Sequence, residues 1–154
     1  MSSKPASALI RDTEVRVVAI LETMWDWRGM TSGAGYAEAP KFFRINPKNH
    51  SGRRLYKLIG PDARLLVTNA CRELVKGPEH HGKPDPSWLR DNLKELENLG
   101  FDLLLVCGKV AQTAFKSCGY SAKARVLEIP HPAARVWTRD YTNEIIDTIR
   151  RFNG

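Results

Sequence analysis

We predict that this chain of 154 residues forms a three-layer α/β/α domain with a four-stranded, mainly parallel sheet. Short apolar runs of strand length alternate along the chain with longer stretches whose apolar residues follow helical spacing. Strands that alternate with helices form βαβ units, which give a parallel sheet covered by helices on both faces.

Four apolar, β-branched runs predict the strands. The third run is apolar at every position, which is typical of a parallel strand buried on both faces. The predicted strands are Val15–Leu21, Leu65–Thr68, Leu103–Cys107 and Arg125–Ile129.

Four helices are predicted between and after these strands. The first has Ser51 as its N-cap, and the second opens at Asp85-Pro86 and stops at Gly100. The segment 22–50 has glycines and prolines but no sustained period, so we predict a long connection there. The predicted helices are Gly52–Ile59, residues 86–99, Lys109–Cys118 and Tyr141–Phe152.

Length and composition indicate one domain over residues 1–154, with residues 1–12 as a frayed start that carries no secretory signal. No apolar run reaches the roughly 18 residues that a membrane span needs, so we expect no membrane partner. The three cysteines are unpaired in pattern, which favours a cytoplasmic or nucleoid-associated location without disulfides. We expect a monomer.

The formal net charge of +7 favours an anionic partner such as DNA, although a basic domain is often merely soluble. Basic residues concentrate over 41–57, where no acidic residue intervenes. They are Lys41, Arg44, Lys48, Arg53, Arg54 and Lys57.

Two polar side chains follow predicted strands. Asn69 ends the second apolar run, and His131 stands between two prolines after the fourth. Ligands of open α/β sheets bind outside the carboxyl ends of the strands. An asparagine amide suits the edge of a nucleobase, and a histidine can hold an oxygen that gains negative charge. The alternatives are a strand-end cap for Asn69 and a structural role for His131.

Two other motifs fail as sites. Gly108-Lys109 follows a strand, but Leu103 and Val110 stand where a phosphate loop requires glycine and Ser/Thr. The amides at this helix start could still contact a DNA phosphate. His80-His81 has no partner at zinc-like spacing, so we predict a solvated loop and no metal site.

The order and spacing of four motifs resemble those of the uracil-DNA glycosylase superfamily, especially its shorter bacterial and archaeal members. The motifs are Ser51-Gly52-Arg53-Arg54-Leu55, Asn69, Gly108-Lys109-Val110-Ala111 and His131-Pro132-Ala133. The likeness spans roughly residues 14–150 and is strong from about residue 51. It implies a uracil-DNA glycosylase-like fold and hydrolysis of the N-glycosidic bond of uracil, or a related abnormal base, in DNA. Some relatives hold an iron–sulfur cluster on four cysteines, which three scattered cysteines cannot supply, so we expect no cofactor.

The resemblance also implies roles for individual residues. Asn69 would read the extruded base, and His131 would bond a carbonyl oxygen of that base. Phe43, or second Phe42, would stack on the base, with core packing as the alternative. The residues expected to contact DNA are Arg53, Arg54 and Lys109, with Arg135 or Val136 as the wedge that fills the gap left by the flipped nucleotide.

The first motif of the family is altered here. The segment Leu21–Trp27 lacks the family's glycine and proline and contains two tryptophans. Asp26 falls where short bacterial members carry an acid, and Glu22 is the second candidate for the catalytic carboxylate. Two rivals therefore stay open: a non-catalytic DNA- or protein-binding module on the same fold, and an enzyme that processes nucleosides or nucleotides.

Overall fold

The structure is a computed structural model that describes residues 15–22, 41–44, 50–60, 65–72 and 83–153. Within those residues the chain forms five strands and four helices. The strands are β1 (Val17–Leu21), β2 (Phe43–Arg44), β3 (Leu65–Asn69), β4 (Leu103–Cys107) and β5 (Arg125–Ile129). The helices are α1 (His50–Ile59), α2 (Pro86–Glu97), α3 (Lys109–Cys118) and α4 (Arg139–Asn153).

The strands form one sheet in the order β2-β3-β1-β4-β5. The four predicted strands run parallel, with β1 central between β3 and β4. The fifth strand, β2, was not predicted. It pairs antiparallel with β3 through only two residues, Phe43 opposite Val67 and Arg44 opposite Leu66. Two residues are too few to leave a periodic signal in the sequence.

Helices cover both faces of this sheet, which confirms the three-layer α/β prediction. Side chains alternate along each strand, so β1 sends Val18 and Ile20 to one face and Val17, Ala19 and Leu21 to the other. The first face packs against α2 and α3, and the second packs against α1 and α4. Strands buried on both faces explain the continuous apolar runs in the sequence.

The helix boundaries follow local capping chemistry. The Asp85 carboxylate accepts a hydrogen bond of 3.1 Å from the backbone N–H of Trp88, and Pro86 follows it at the start of α2, as the sequence indicates. Gly119 takes a left-handed conformation after α3. Helix α1 begins at His50, so the predicted N-cap Ser51 lies inside the helix, and α4 begins two residues before the predicted Tyr141.

The parallel arrangement brings strand ends and helix starts to one edge, which we call the carboxyl edge. Helices α2, α3 and α4 each follow a parallel strand and therefore begin at the edge where that strand ends. Helix α1 follows the antiparallel β2, and the contact between Arg54 and Thr142 places its first turns beside the start of α4. Helix α1, which lies between β1 and β3 in the sequence, packs on one face of the sheet, whereas α3, between β4 and β5, packs on the other. The strand order therefore reverses between β1 and β4, and ligands of open α/β sheets bind at such a reversal point. Among the described helices, none has the length and apolar character needed to cross a membrane.

Candidate functional site

The carboxyl edge brings together Glu22, Asn69 and His131, which come from three different strands. Asn69 is the last residue of β3 and pairs with Leu21 at the end of β1. The segments that follow β1 and β3 stay paired beyond the strands, since the N–H of Cys71 donates to the Glu22 carbonyl oxygen over 3.0 Å. Glu22 is therefore beside the end of β3, and its charge also acts on the His131 ring.

Gly108 supports His131 from the end of β4. Its N–H donates to the carbonyl oxygen of Ile129 over 2.8 Å, which joins the ends of β4 and β5. Its φ of 88° and ψ of 166° are essentially restricted to glycine. A Cβ at this position would lie 3.1 Å from the Cβ of His131. Glycine is thus required both by the backbone conformation and by the close approach of His131.

The hydrogen bonding of His131 fixes which ring nitrogen carries its proton. The backbone N–H of Ala133 donates to His131 Nδ1 over 3.0 Å, so Nδ1 is the acceptor and a neutral ring carries its proton on Nε2. Burial lowers the pKa of His131, and the nearby Glu22 charge opposes that shift only in part. His131 is therefore a neutral ring at pH 7 that offers an Nε2–H donor.

The turn after β5 is held by further hydrogen bonds that the sequence does not signal. The His131 carbonyl oxygen accepts bonds of 2.9 Å from the Ala134 N–H and from the Trp137 indole Nε1. Gln112 Nε2 donates to the carbonyl oxygens of Val106 and Ile129, at 3.4 and 3.2 Å. Trp137 and Gln112 support the site, but nothing in their sequence context distinguishes them from ordinary core and helix residues.

Asn69 has an unusual environment for a polar side chain. It is 0% exposed, and neither its Oδ1 nor its Nδ2 has a hydrogen-bond partner among the described residues. A buried amide without partners costs about 1–3 kcal/mol, so nearly all such groups in folded proteins are satisfied. An amide kept in this state at the carboxyl edge is a candidate for ligand recognition. It is not a strand-end cap, because it bonds no neighbouring backbone group.

The candidates for base stacking occupy different environments. Phe42 is 3% exposed and belongs to the core on the α2–α3 face, which favours its core-packing alternative. Phe43 lies on β2, and its side chain is outside the described residues, as are Asp26 and residues 1–12. Glu22 is consequently the candidate catalytic carboxylate that the structure describes.

The predicted DNA contacts divide into outward and inward residues. Arg53, Lys109, Arg135 and Val136 are all exposed, and Val136 is 53% exposed despite its apolar side chain. Arg54 instead lies half-buried. Its guanidinium carbon is 5.4 Å from the centre of the Trp137 ring, and its Nη1 is 3.4 Å from the Thr142 hydroxyl.

An open groove of about 430 Å³ lies between the start of α3 and the turn after β5. Its lining combines apolar residues such as Pro130 and Val136 with the charged Lys109 and Glu128, and it includes His131. The groove therefore lies next to His131 at the end of β5.

Thiol and metal chemistry have little support at this edge. Burial raises the pKa of Cys71 to about 12, with a further contribution from Glu22, and burial also raises the pKa of Cys107. Neither thiol is a thiolate near neutral pH, as a nucleophile or metal ligand must be. Among the residues that the structure describes, no three His, Cys, Asp or Glu side chains form a metal-binding group.

The chain matches no known protein family, and no curated protein is similar to it in sequence. The site is therefore interpreted from its own geometry, together with the motif resemblance described above.

Proposed function

We propose that this protein is a DNA glycosylase that hydrolyses the N-glycosidic bond of uracil, or of a related abnormal base, in DNA. The observation that carries the proposal is the pair of polar groups at the carboxyl edge. One is the buried Asn69 amide without a partner, and the other is the Nε2–H of a neutral His131.

The two side chains complement a pyrimidine base. The Asn69 amide can donate one hydrogen bond and accept another side by side, which matches the N–H and C=O groups along the edge of uracil. When the base binds, it supplies the hydrogen-bond partners that the buried amide lacks, and these new bonds contribute to the binding free energy. A base edge with the opposite donor and acceptor pattern would leave the amide unsatisfied, and this difference gives selectivity.

His131 acts on the leaving base. When the glycosidic bond breaks, negative charge develops on the base and concentrates on its carbonyl oxygens. A hydrogen bond from Nε2–H, prepositioned by the Ala133 contact, stabilises that charge without any reorganisation. Because the ring is neutral, it stabilises the anion by hydrogen bonding and need not give up a proton.

A carboxylate is needed on the sugar side of the bond. Cleavage passes through an oxocarbenium-like sugar, which a carboxylate stabilises while it orients the attacking water. Glu22 is near His131 and fits this role, and Asp26 is the second candidate. The reaction consumes water and releases the free base, leaving an abasic site, and it needs no cofactor.

DNA would be held mainly through its phosphates. Exposed cations at the helix starts of the carboxyl edge, Arg53 and Lys109, and Arg135 on the following turn provide positive charge there. The exposed Val136 is suited to enter the duplex, where it would fill the space left by the flipped nucleotide. Since Asn69 is fully buried in the free protein, binding of the base must displace the atoms that cover it.

The altered first motif favours one rival, a DNA-binding module on the same fold without catalysis. The segment Leu21–Trp27 lacks the glycine and proline that shape the catalytic turn in the resembled family. This rival predicts the same salt-dependent DNA binding, so binding alone does not separate the two.

The distinguishing experiment uses single- and double-stranded oligonucleotides that carry uracil, hypoxanthine or a mismatch, together with free deoxyuridine. Alkali cleaves the strand wherever a base has been removed. We expect cleavage at uracil in DNA and no reaction of the free nucleoside. Binding without cleavage supports the module, and hydrolysis of the free nucleoside alone supports a nucleoside-processing enzyme.

A further inference from the structure

We propose that Trp137 is a positioning residue for His131, and that Arg54 holds Trp137 in place. This inference rests on the proposed function for its catalytic consequence, but its structural part can be tested without any substrate.

The connection to His131 is a direct hydrogen bond. The indole Nε1–H of Trp137 donates to the His131 carbonyl oxygen over 2.9 Å, across six residues of chain. The same oxygen accepts the Ala134 N–H, and the Ala133 N–H in turn binds the ring Nδ1. The carbonyl orientation, the turn and the ring are therefore fixed together. Of the three groups that donate these hydrogen bonds, the Trp137 indole is the one that lies beyond the turn.

Trp137 is itself held in place by core packing and by Arg54. The side chain is only 9% exposed and packs among core residues of the α1–α4 face. The Arg54 guanidinium lies over its ring at 5.4 Å, a distance at which a cation is attracted to the indole face. Arg54 also reaches the Thr142 hydroxyl, at 3.4 Å, in the first turn of α4. The arginine thereby links α1 to the residues that hold the turn.

The position of His131 is closely confined by its surroundings. The Cβ of His131 closely approaches Gly108, the Glu22 charge acts on its ring, and the residue lines the groove that Lys109 and Glu128 also line. Of these charged residues, Glu22 is the one whose charge acts on the ring in the folded protein. Loss of the indole bond would free the His131 carbonyl and weaken the coupling between the turn and the ring.

The test is Trp137→Phe, which removes the N–H donor and keeps an aromatic face for Arg54. The matched control is Tyr141→Leu, which removes a ring whose centre is 5.3 Å from that of Trp137 but leaves the indole bond intact. NMR of the His131 ring nitrogens reports the tautomer and the pKa, and hydrogen exchange reports the Ala133 amide.

We expect Trp137→Phe to move the His131 pKa toward its ordinary value and to accelerate exchange of the Ala133 amide. In the uracil-release assay, kcat should fall about tenfold, as loss of one neutral hydrogen bond predicts, with KM little changed. Tyr141→Leu should lower the melting temperature and leave all of these His131 readouts as in the wild type.

The proposal is overturned if Trp137→Phe folds and leaves the His131 tautomer, pKa and Ala133 exchange unchanged, or if Tyr141→Leu alters them equally. Arg54→Lys provides a second variant, since lysine keeps the charge but loses the planar stacking. It should shift the His131 pKa in the same direction as Trp137→Phe. If the wild type releases no base at all, the NMR results still decide the positioning role, and only the proposed function fails.

Discussion

Gly108 and His131 approach each other so closely that a Cβ on residue 108 would lie 3.1 Å from the His131 Cβ. The contact joins the end of β4 to the turn after β5. Helix α3 begins beside it, so the glycine serves the turn, the helix start and the histidine at once.

The first prediction concerns Gly108→Ala. The substitution forces alanine into a region that is essentially limited to glycine and displaces His131, so we expect a loss of about 1–3 kcal/mol in the free energy of unfolding. Base release should fall as well. Gly119→Ala is the control, because its φ is also positive but a Cβ there meets no atom within 4 Å. Denaturant unfolding and uracil release should show that only Gly108→Ala impairs activity beyond its effect on stability. Equal effects on activity would contradict the role assigned to this contact.

The second prediction separates stability from function at Asn69. Asn69→Leu replaces a buried amide that lacks partners with an apolar side chain of similar size. We expect the free energy of unfolding to rise by about 1–3 kcal/mol while uracil release is abolished. Asn69→Asp is less informative, because a buried carboxylate would itself destabilise the fold.

Thr68→Val is the control for this experiment. The Thr68 hydroxyl is likewise buried without a partner among the described residues, but it points to the opposite face of β3. This variant should also be stabilised, and its activity should be unchanged. A destabilised Asn69→Leu, or an active one, would show that Asn69 is a structural residue.

A structural feature can be predicted from the sequence when it extends over enough residues to leave a pattern. The apolar runs reveal β1, β3 and β4 because every position of these three strands is buried on one face or the other. The edge strand β5 is mostly exposed, and its run is accordingly interrupted by Arg125 and Glu128. The apolar runs do not reveal the two-residue β2, or that Arg54 turns inward onto Trp137 while its neighbour Arg53 is exposed. A motif gives the residue type and its place along the chain, whereas the direction of a side chain depends on the tertiary packing of α1 against α4.

The third prediction follows from the lowered pKa of His131. In the unfolded chain the group titrates near 6.5, and in the folded protein it titrates below that value. Between the two values the unfolded state binds more protons, so stability is fully present above about pH 6.5 and decreases as the pH falls through this window. It stops decreasing below the folded pKa. Urea unfolding at a series of pH values measures this dependence.

His131→Asn removes the titrating group and keeps an acceptor for the Ala133 N–H. Carboxylates titrate in both proteins, so the difference between the two curves isolates His131. We expect that difference to change only below about pH 6.5. A difference that is constant with pH would show that His131 keeps its ordinary pKa in the folded protein.

The fourth prediction tests where DNA binds. Arg53→Glu reverses an exposed charge at the carboxyl edge and should weaken binding to all DNA sequences alike, and the salt dependence of the affinity should become less steep. Lys123→Glu makes the same charge change before β5, at the opposite edge of the sheet. It should have a much smaller effect. Fluorescence anisotropy over a range of salt concentrations measures both, and equal losses would argue for nonspecific attraction to the whole surface.

The most direct test of the central claim is a single-turnover measurement of uracil release from DNA by the wild type and by His131→Ala. We predict that the wild type produces alkali-sensitive abasic sites at uracil, and that His131→Ala does so about 10²–10³-fold more slowly. Both proteins should bind the DNA with similar affinity, because phosphate contacts supply most of it. A wild type that binds the DNA but forms no abasic site, or a His131→Ala variant with the wild-type rate, would contradict the account.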